Sequence, residues 1–243
     1  MKEWTKLIKY RNRMYLMSNK IVVPLIVYLL FTYISYKEKP QFYIPDVMVS
    51  SISVGYIMFW ISFTFFENED IVAERVLYCN IQQNKLRYYG SKIATLLLIS
   101  AVLSFIGAAY PFLVNAVNGF ELFKTSITFT DFCCSFVIHM LMSCIFVAVS
   151  YLFQPRNIFN RRHVILLMVI IVVISLGGKG IISKYEMAKY VLLVFPPVGA
   201  IIDCFYGLEY FTVKSMLSAS LYAVIYSVIV FAIGIFVVDK KDF

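Results

Sequence analysis

Long apolar blocks separated by short polar segments constrain this chain more than any other feature. Most blocks hold roughly 20 residues, the length that an α-helix needs to cross a hydrocarbon core of about 30 Å. Six blocks are predicted to be membrane spans, at residues 21–36, 47–66, 93–117, 132–153, 164–176 and 216–238. A transmembrane barrel would show alternating segments of about ten residues instead. We therefore predict an all-α polytopic membrane protein, with six transmembrane helices in a single domain over residues 1–243.

The composition agrees with this prediction and limits the classes of partner that the chain is expected to contact. Hydrophobic residues make up 61% of the chain and charged residues 15%, more apolar than a soluble domain requires. A net charge of +8 would suit nucleic acid, but the basic residues lie at the ends of apolar blocks. There they set membrane orientation and meet anionic headgroups, so we expect a lipid bilayer and no nucleic acid. The five cysteines have no metal-ligand or disulfide spacing, and no metal site is predicted.

The N-terminal segment, residues 2–17, has the periodicity of an amphipathic helix. Trp4 belongs to its apolar stripe, and Lys6, Lys9 and Arg13 to a basic stripe. Such a helix is expected to lie in the membrane interface with its apolar side at the acyl boundary and its basic side toward headgroups. A basic tail with little order is the alternative interpretation.

Charge also predicts the orientation. Six spans place both termini on the same side of the membrane. That side carries fifteen lysine and arginine residues, and the other side carries seven. Because positive residues accumulate on the cytoplasmic side, we predict a multi-pass protein of the cell membrane with both termini in the cytoplasm.

One long polar stretch, residues 67–92, separates the second and third predicted spans. Its first half is acidic and its second half basic, it lacks proline, and its spacing is helical. Its charged residues are Glu67, Glu69, Asp70, Glu74, Arg75, Lys85, Arg87 and Lys92. A conspicuous polar segment between two spans is expected to contact a partner outside the membrane, and a plain solvated loop is the alternative. The carboxylates favour ion pairing with the neighbouring basic residues over a metal site.

Residues 183–210 are mixed in polarity and interrupted by Pro196 and Pro197. Each side of this interruption is too short to cross the bilayer. We predict two short helices that form a re-entrant element on the outer side, with Pro196, Pro197 and Gly199 at its turn. Just before it, residues 177–180 (GGKG) lack the spacing of a phosphate-binding loop and are predicted to break the fifth helix.

Neither a catalytic motif nor a cofactor motif is present. The predicted spans are nearly free of the ionisable residues that ion-coupled transporters place at mid-membrane. His139, in the fourth predicted span, is expected to form a hydrogen bond with a neighbouring helix. If the chain moves a substrate, the energy is therefore expected to come from another subunit.

The order of these features resembles the permease subunit of ABC-2 type ABC transporters. The resemblance is carried by the six spans, the interfacial helix, the charged segment and the proline-broken outer element. Within the charged segment, the acidic residues precede Val76-Leu77, and Gly90-Ser91-Lys92 opens the third span. In the outer element, residues 194–199 (VFPPVG) are followed by residues 205–207 (FYG).

This resemblance implies a coupling helix over residues 67–80 that docks on a separate ABC ATP-binding subunit. The residues expected to contact that subunit are Glu74 and Arg75 first, then Glu67, Glu69 and Asp70. ATP and Mg are expected on the partner ATPase, with none bound by this chain. A second copy of the permease, or a sister permease, is expected to complete the transporter.

Small permeases of this kind resemble Gram-positive exporters of hydrophobic or amphipathic peptides, such as bacteriocins and phenol-soluble modulins. The implied role is peptide export, in secretion, self-immunity or antimicrobial peptide resistance. Two other classes stay open at this point. One is a non-transporting membrane immunity or scaffold protein that binds a partner directly, and the other is an intramembrane enzyme.

Overall fold

The structure, a computed structural model, describes residues 2–154, 161–185, 187, 190 and 194–242. This part of the chain is helical, with one isolated β-bridge between two loops. The helices are α1 Lys2–Met17, α2 Val22–Ser35, α3 Tyr43–Glu67, α4 Ile71–Asn80, α5 Lys85–Val117, α6 Phe129–Leu152, α7 Arg161–Lys184, α8 Val198–Asp203 and α9 Val213–Asp242. The all-α prediction is confirmed for these residues.

Four helices, α3, α5, α6 and α9, are long and apolar enough to cross a membrane. Helices α1 and α2 meet at a bend of 81° and together count as a fifth, broken candidate. The apolar part of α7, Arg162–Gly178, is shorter. The part of the chain that the structure describes therefore holds four to five candidate membrane spans by length and composition. This agrees with a polytopic membrane protein, and the count of six stays a prediction.

Most helix boundaries agree with the predicted spans. Helices α2, α3, α6 and α9 begin and end within four residues of the predictions, but α5 begins at Lys85, eight residues early. The polar stretch is thus not one helix. Asp70 caps α4 by accepting hydrogen bonds from the backbone N–H groups of Val72 and Ala73, and Asn84 caps α5 in the same way.

The predicted break at residues 177–180 is wrong, because α7 continues through them to Lys184. A glycine in a helix interior costs only about 1 kcal/mol relative to alanine. Unsatisfied backbone groups in an apolar surrounding cost more than that, so the helix continues. Of the predicted outer element, α8 follows the two prolines. The first of its two predicted short helices falls largely on residues 186, 188, 189 and 191–193, outside the described residues, and stays a prediction.

Helices α3 and α6 form the centre of the bundle, and α5 and α9 pack against α6. Within its most apolar window, 78% of the residues of α3 are buried in the protein, compared with 28% for α9. Helix α9 therefore turns most of its apolar surface outward. At one end of the bundle, here called the far end, Gln41 joins the loop after α5 through backbone hydrogen bonds to Leu122 and Lys124.

The opposite end, here called the cluster end, positions the candidate site. Helix α1, the last turn of α3, α4 and the first turns of α5 meet there. The last part of α9 reaches the same place, since Lys85 at the start of α5 lies 2.7 Å from Asp239. Residues far apart in the sequence are thereby brought together around the polar stretch.

Candidate functional site

A buried group of four charged side chains lies at the cluster end. This ion cluster consists of Arg11 from α1, Glu69 from the turn between α3 and α4, Glu74 from α4 and Lys92 from α5. Only 3% of the Arg11 side chain and 1% of the Lys92 side chain is exposed. Two cations and two anions therefore balance each other in a space that solvent scarcely reaches.

The periodicity of α1 brings Arg11 into this cluster. Leu7, Arg11 and Tyr15, spaced by four residues, lie on the buried face of the helix. The Tyr15 hydroxyl lies 2.7 Å from the Thr64 hydroxyl and 3.2 Å from the carbonyl oxygen of Ile61, both in α3. The apolar side of α1 thus packs on the bundle, and Arg11 is buried with it.

Arg11 holds the polar segment directly. Its guanidinium donates to both carboxylate oxygens of Glu74, at 2.9 and 3.1 Å. Its Nε donates to the hydroxyl of Ser91 at 3.1 Å. A bidentate arginine–carboxylate contact fixes orientation as well as distance, so α4 is held in one orientation against α1 and α5.

Lys92 completes the cluster from the other side. Its Nζ lies 2.7 Å from a carboxylate oxygen of Glu69 and 3.3 Å from one of Glu74. The ring of Tyr88 lies beside both cations, with its centroid 4.5 Å from the Lys92 Nζ and 5.3 Å from the Arg11 Cζ. Cations attracted to an aromatic face and paired with carboxylates are compensated for part of their lost hydration.

The two carboxylates differ in their affinity for protons. Burial opposes ionisation of Glu74, but Lys92 and Arg11 outweigh it and lower its pKa to about 2. For Glu69, the more deeply enclosed group, burial outweighs the attraction of the same cations and raises the pKa. Glu69 is therefore the first member of the cluster to take up a proton on acidification, while Glu74 stays charged.

The predicted contact residues divide between the inside and the outside of the protein. Glu69 and Glu74 point into the ion cluster, and Glu67 pairs with Lys20 at 3.6 Å. Asp70 is exposed and serves as the cap of α4, and Arg75 is exposed on its outer face. The acidic half of the polar stretch is thus largely used within the protein.

The outer face of α4 is apolar. Ile71, Val72 and Val76 are 55%, 70% and 55% exposed, and they surround Arg75. An exposed apolar surface on a short helix beside many charges is unusual for a free protein surface. The structure thus presents α4 as a helix fixed on its inner side and uncovered on its outer side.

The remaining predicted site residues lie on α1 and at the start of α8, at opposite ends of the bundle. Trp4 is 43% exposed and packs against Gly90 at the start of α5. Lys6, Lys9 and Arg13 are exposed, away from the buried face of α1. At the far end, Pro196 is buried, while Pro197 and Gly199 are half-buried beside α7.

The sequence predicted ion pairing for the carboxylates of the polar stretch, but it singled out neither Arg11 nor Lys92 as their partner. Arg11 carried a signal, because it falls in the apolar stripe of an amphipathic helix, where a charge needs a partner. Lys92 was predicted as one of the basic residues of the polar stretch, at the opening of the third span, with no specific partner. Neither position reveals that both side chains contact the same two carboxylates. That arrangement depends on how α1 folds back across the bundle.

The prediction for His139 is confirmed. Its Nδ1 lies 2.7 Å from the Ser135 carbonyl oxygen, which only accepts, so Nδ1 donates and Nε2 is an acceptor. The hydroxyl of Ser50 in α3 lies 3.0 Å from Nε2 and accepts from the Tyr36 hydroxyl at 3.2 Å. This uncharged hydroxyl–imidazole chain links α3 to α6 inside the bundle.

In the described part of the chain, no group of three or more His, Cys, Asp or Glu side chains is placed to hold a metal ion. The ion pairs of the cluster join four segments of the same chain. A comparison of the chain with family models, curated proteins and solved structures finds no match. The interpretation of the site therefore rests on its geometry.

Proposed function

We propose that this chain is the transmembrane permease subunit of an ATP-driven exporter of the ABC-2 type. The observation that carries the proposal is the position of α4. Its inner side is tied through the ion cluster to α1 and α5, while its outer side presents Ile71, Val72, Arg75 and Val76. A helix held in this way is suited to receive a force from a partner and to pass it to the spans.

The energetics of the ion cluster support the transmission of a force from α4 to the membrane spans. Breaking a buried ion pair by removing one partner costs about 3–5 kcal/mol. A displacement of α4 would therefore carry Arg11 and Lys92 with it rather than break the contacts. Because Arg11 belongs to α1 and Lys92 to α5, both helices would move together with α4.

Contacts at the two ends support six crossings. Helix α6 ends at the cluster end, where the Tyr151 ring lies 5.3 Å from Phe66, and α9 begins at the far end, where Phe211 lies 6.1 Å from Tyr43. The chain between them, which includes α7, must pass from one end to the other. Helix α2 also runs from the cluster end to the far end. It begins next to Lys20, which pairs with Glu67, and it ends before Tyr36, whose ring contacts Phe123.

Six crossings and the charge bias favour a cell-membrane protein with the cluster end and both termini in the cytoplasm. The uncovered face of α4 would then meet a soluble ATP-binding subunit that carries ATP and Mg. A second permease copy or a sister permease completes the transporter. The proposed cargo is a hydrophobic or amphipathic peptide, released on the far side. The outer element around Pro196, Pro197 and Gly199 is proposed to be re-entrant.

The docking role of α4 is tested by recovery of an ATP-binding partner. The tagged chain is purified in mild detergent from its native cell, and the proteins that accompany it are identified. Val72→Asp combined with Arg75→Glu alters only the outer face of α4 and should lower recovery of the ATPase by roughly tenfold or more. Val213→Asp, at an 87% exposed position at the start of α9, is the matched control and should leave recovery unchanged.

Two results contradict the proposal. The first is a wild-type chain that retains other partners but no ATP-binding protein, which favours a non-transporting immunity or scaffold protein. The second is equal recovery of the ATPase with the α4 variant and the Val213→Asp control, which removes α4 from the docking surface. Membrane insertion of all variants is checked by extraction and by a single symmetric peak in size-exclusion chromatography.

A further inference from the structure

The turn that follows α5 presents an exposed aromatic side chain at the far end. Helix α5 ends at Val117, and both Gly119 and Phe120 adopt a left-handed backbone, with φ of 69° and 66°. Glycine takes this conformation readily, but a bulky side chain is strained in it. Phe120 is nevertheless 75% exposed. Strain held at an uncovered position points to a contact outside the chain.

Hydrogen bonds fix this turn in one conformation. The N–H of Gly119 donates to the carbonyl oxygen of Ala116 at 3.2 Å. The N–H of Phe120 donates to that of Asn115 at 2.8 Å. This is the Schellman pattern of a helix end, in which the residue at the position of Phe120 commonly packs back on the helix. Here Leu122, whose N–H donates to the Asn115 side chain at 3.1 Å, is buried instead, and Phe120 is turned outward.

An exposed apolar stripe leads along α5 to this turn. Its large side chains follow helical spacing and share one face of the helix: Leu98, Val102, Phe105, Leu113 and Val117. Four small residues lie on the opposite, buried face: Ser100, Ser104, Gly107 and Ala108. Helices that pack together in a membrane do so mainly through small residues. The stripe is therefore suited to lipid rather than to another helix, and Phe120 continues it past the end of α5.

The position of the turn along α5 matches the edge of a bilayer. From Lys92 in the ion cluster to Val117, α5 rises about 38 Å at 1.5 Å per residue. A hydrocarbon core that begins next to the ion cluster ends about 30 Å further on, so the turn lies in the headgroup region of the far leaflet. Two more exposed rings, those of Phe42 and Phe129, stand at this end, where α3 and α6 begin. Aromatic side chains are enriched at such membrane interfaces.

A cation beside these rings matches a phospholipid better than a purely apolar partner. Lys124 is exposed, and its Nζ lies 3.9 Å from the centroid of the Phe42 ring. Its backbone N–H donates to the carbonyl oxygen of Gln41 at 3.0 Å, which ties the loop after α5 to the start of α3. A lysine at a membrane surface keeps its charge at the level of the phosphates, while neighbouring rings meet the acyl chains.

We propose that residues 117–124 bind the phospholipid interface of the far leaflet. The Phe120 ring lies at the boundary between headgroups and acyl chains, and Lys124 lies at a lipid phosphate. This contact offsets the strain of the left-handed Phe120 and fixes the depth of α5 in the bilayer. It needs neither an ATPase nor a second subunit, so it stands or falls independently of the proposed export function.

The proposal is tested by the fluorescence of single tryptophans in brominated lipid. The two natural tryptophans are replaced by Trp4→Phe and Trp60→Phe, and the full chain carrying Phe120→Trp is placed in phosphatidylcholine bilayers. Bromine on an acyl chain quenches a tryptophan that lies beside it. Phe120→Trp should show blue-shifted emission and should lose more of it to chains brominated near the headgroup than to chains brominated near their ends.

Two matched positions calibrate the depth. Val102→Trp, on the same stripe but halfway along the span, should be quenched most by chains brominated near their ends. Glu38→Trp, in the exposed loop between α2 and α3, should be quenched by aqueous iodide and not by brominated lipid. Lys124→Glu places a negative charge beside the phosphates and should weaken the lipid quenching of Phe120→Trp.

Three results would overturn the proposal in whole or in part. Iodide quenching of Phe120→Trp equal to that of Glu38→Trp places the turn in water. Blue-shifted emission that no brominated lipid quenches shows that protein, such as a second copy of the chain, covers the ring. Unchanged lipid quenching in Lys124→Glu removes the phosphate contact. Only variants that elute as a single symmetric peak are compared, and Phe120→Trp keeps an aromatic ring at an exposed position.

Discussion

The ion cluster and the hydroxyl–imidazole chain are both buried, both polar and both shared between helices, yet they use different chemistry. The ion cluster, at one end of the bundle, holds four charges from Arg11, Glu69, Glu74 and Lys92. The hydroxyl–imidazole chain, inside the bundle, links Tyr36, Ser50 and His139 without a formal charge. In both, residues distant in the sequence are joined.

The two links show that the position within the bundle decides whether charge can hold helices together. A charge at the bundle end loses less hydration than one in the interior, and four mutually paired charges offset much of what remains. Inside the bundle, neutral hydrogen bonds of about 1 kcal/mol each provide the link without that cost. Disrupting the ion cluster is therefore expected to cost more free energy than disrupting the hydroxyl–imidazole chain. The stability that the ion cluster provides also depends on pH.

The largest effect is expected from removal of one cation of the ion cluster. Lys92→Met leaves Glu69 and Glu74 with Arg11 alone, so that an uncompensated carboxylate stays buried. We expect a loss of about 3–5 kcal/mol in the free energy of unfolding, measured by chemical or thermal unfolding in detergent. A loss below about 1 kcal/mol would show that the ion cluster is not a strong link.

Acidification is expected to weaken the ion cluster through Glu74. Its pKa is about 2 in the folded protein, well below the usual value of 4.5 for a glutamate side chain. The ionised Glu74 side chain therefore adds its full contribution to the free energy of unfolding above pH 4.5, and this contribution is lost as the pH falls toward 2. It is on the order of 3 kcal/mol. Glu69, with its pKa raised, acts in the opposite direction and gains a proton first.

Thermal unfolding between pH 6 and pH 3 separates the two carboxylates. Glu74→Gln should be less stable than the wild type at pH 6 and should lose less stability on acidification. Glu69→Gln should keep the acid-induced loss. An unfolding temperature that stays constant over this range in Glu69→Gln, where the opposing carboxylate is absent, would contradict the role of Glu74.

A smaller effect is expected in the hydroxyl–imidazole chain. Ser50→Ala removes the shared partner of Tyr36 and His139 and leaves buried polar atoms unpaired, at a cost of about 1–3 kcal/mol. Ser51→Ala is the matched control, because the Ser51 hydroxyl donates only within its own helix, to the Met48 carbonyl oxygen, and should cost less than about 1 kcal/mol. Equal losses of unfolding free energy for the two serine variants would mean that the hydroxyl–imidazole chain adds nothing to stability.

The smallest effect is expected at the exposed pair between Lys85 and Asp239. The Lys85 side chain is 59% exposed, and exposed pairs contribute about 0–1 kcal/mol. Lys85→Ala should therefore change the free energy of unfolding by no more than about 1 kcal/mol and should be sensitive to salt. A change as large as that of Lys92→Met would remove the distinction between exposed and buried pairs.

The sequence predicted much of the helical framework but only part of the site. The apolar blocks located α2, α3, α6 and α9 within a few residues, because the length of a span is set by the bilayer. The caps at Asp70 and Asn84, which divide the polar stretch into α4 and the start of α5, were missed. Capping depends on single side chains, whereas hydropathy averages over many.

Local sequence patterns are sufficient to predict that the chain is helical, rich in membrane-length apolar segments and most polar between its second and third predicted spans. These are local properties, since hydrophobicity and helical periodicity are written along the chain. The packing of the helices turns Glu69 and Glu74 inward to Arg11 and Lys92 and leaves Val72, Arg75 and Val76 outside. A buried carboxylate needs a cation, and the folding of α1 onto α5 sets which cation is within reach.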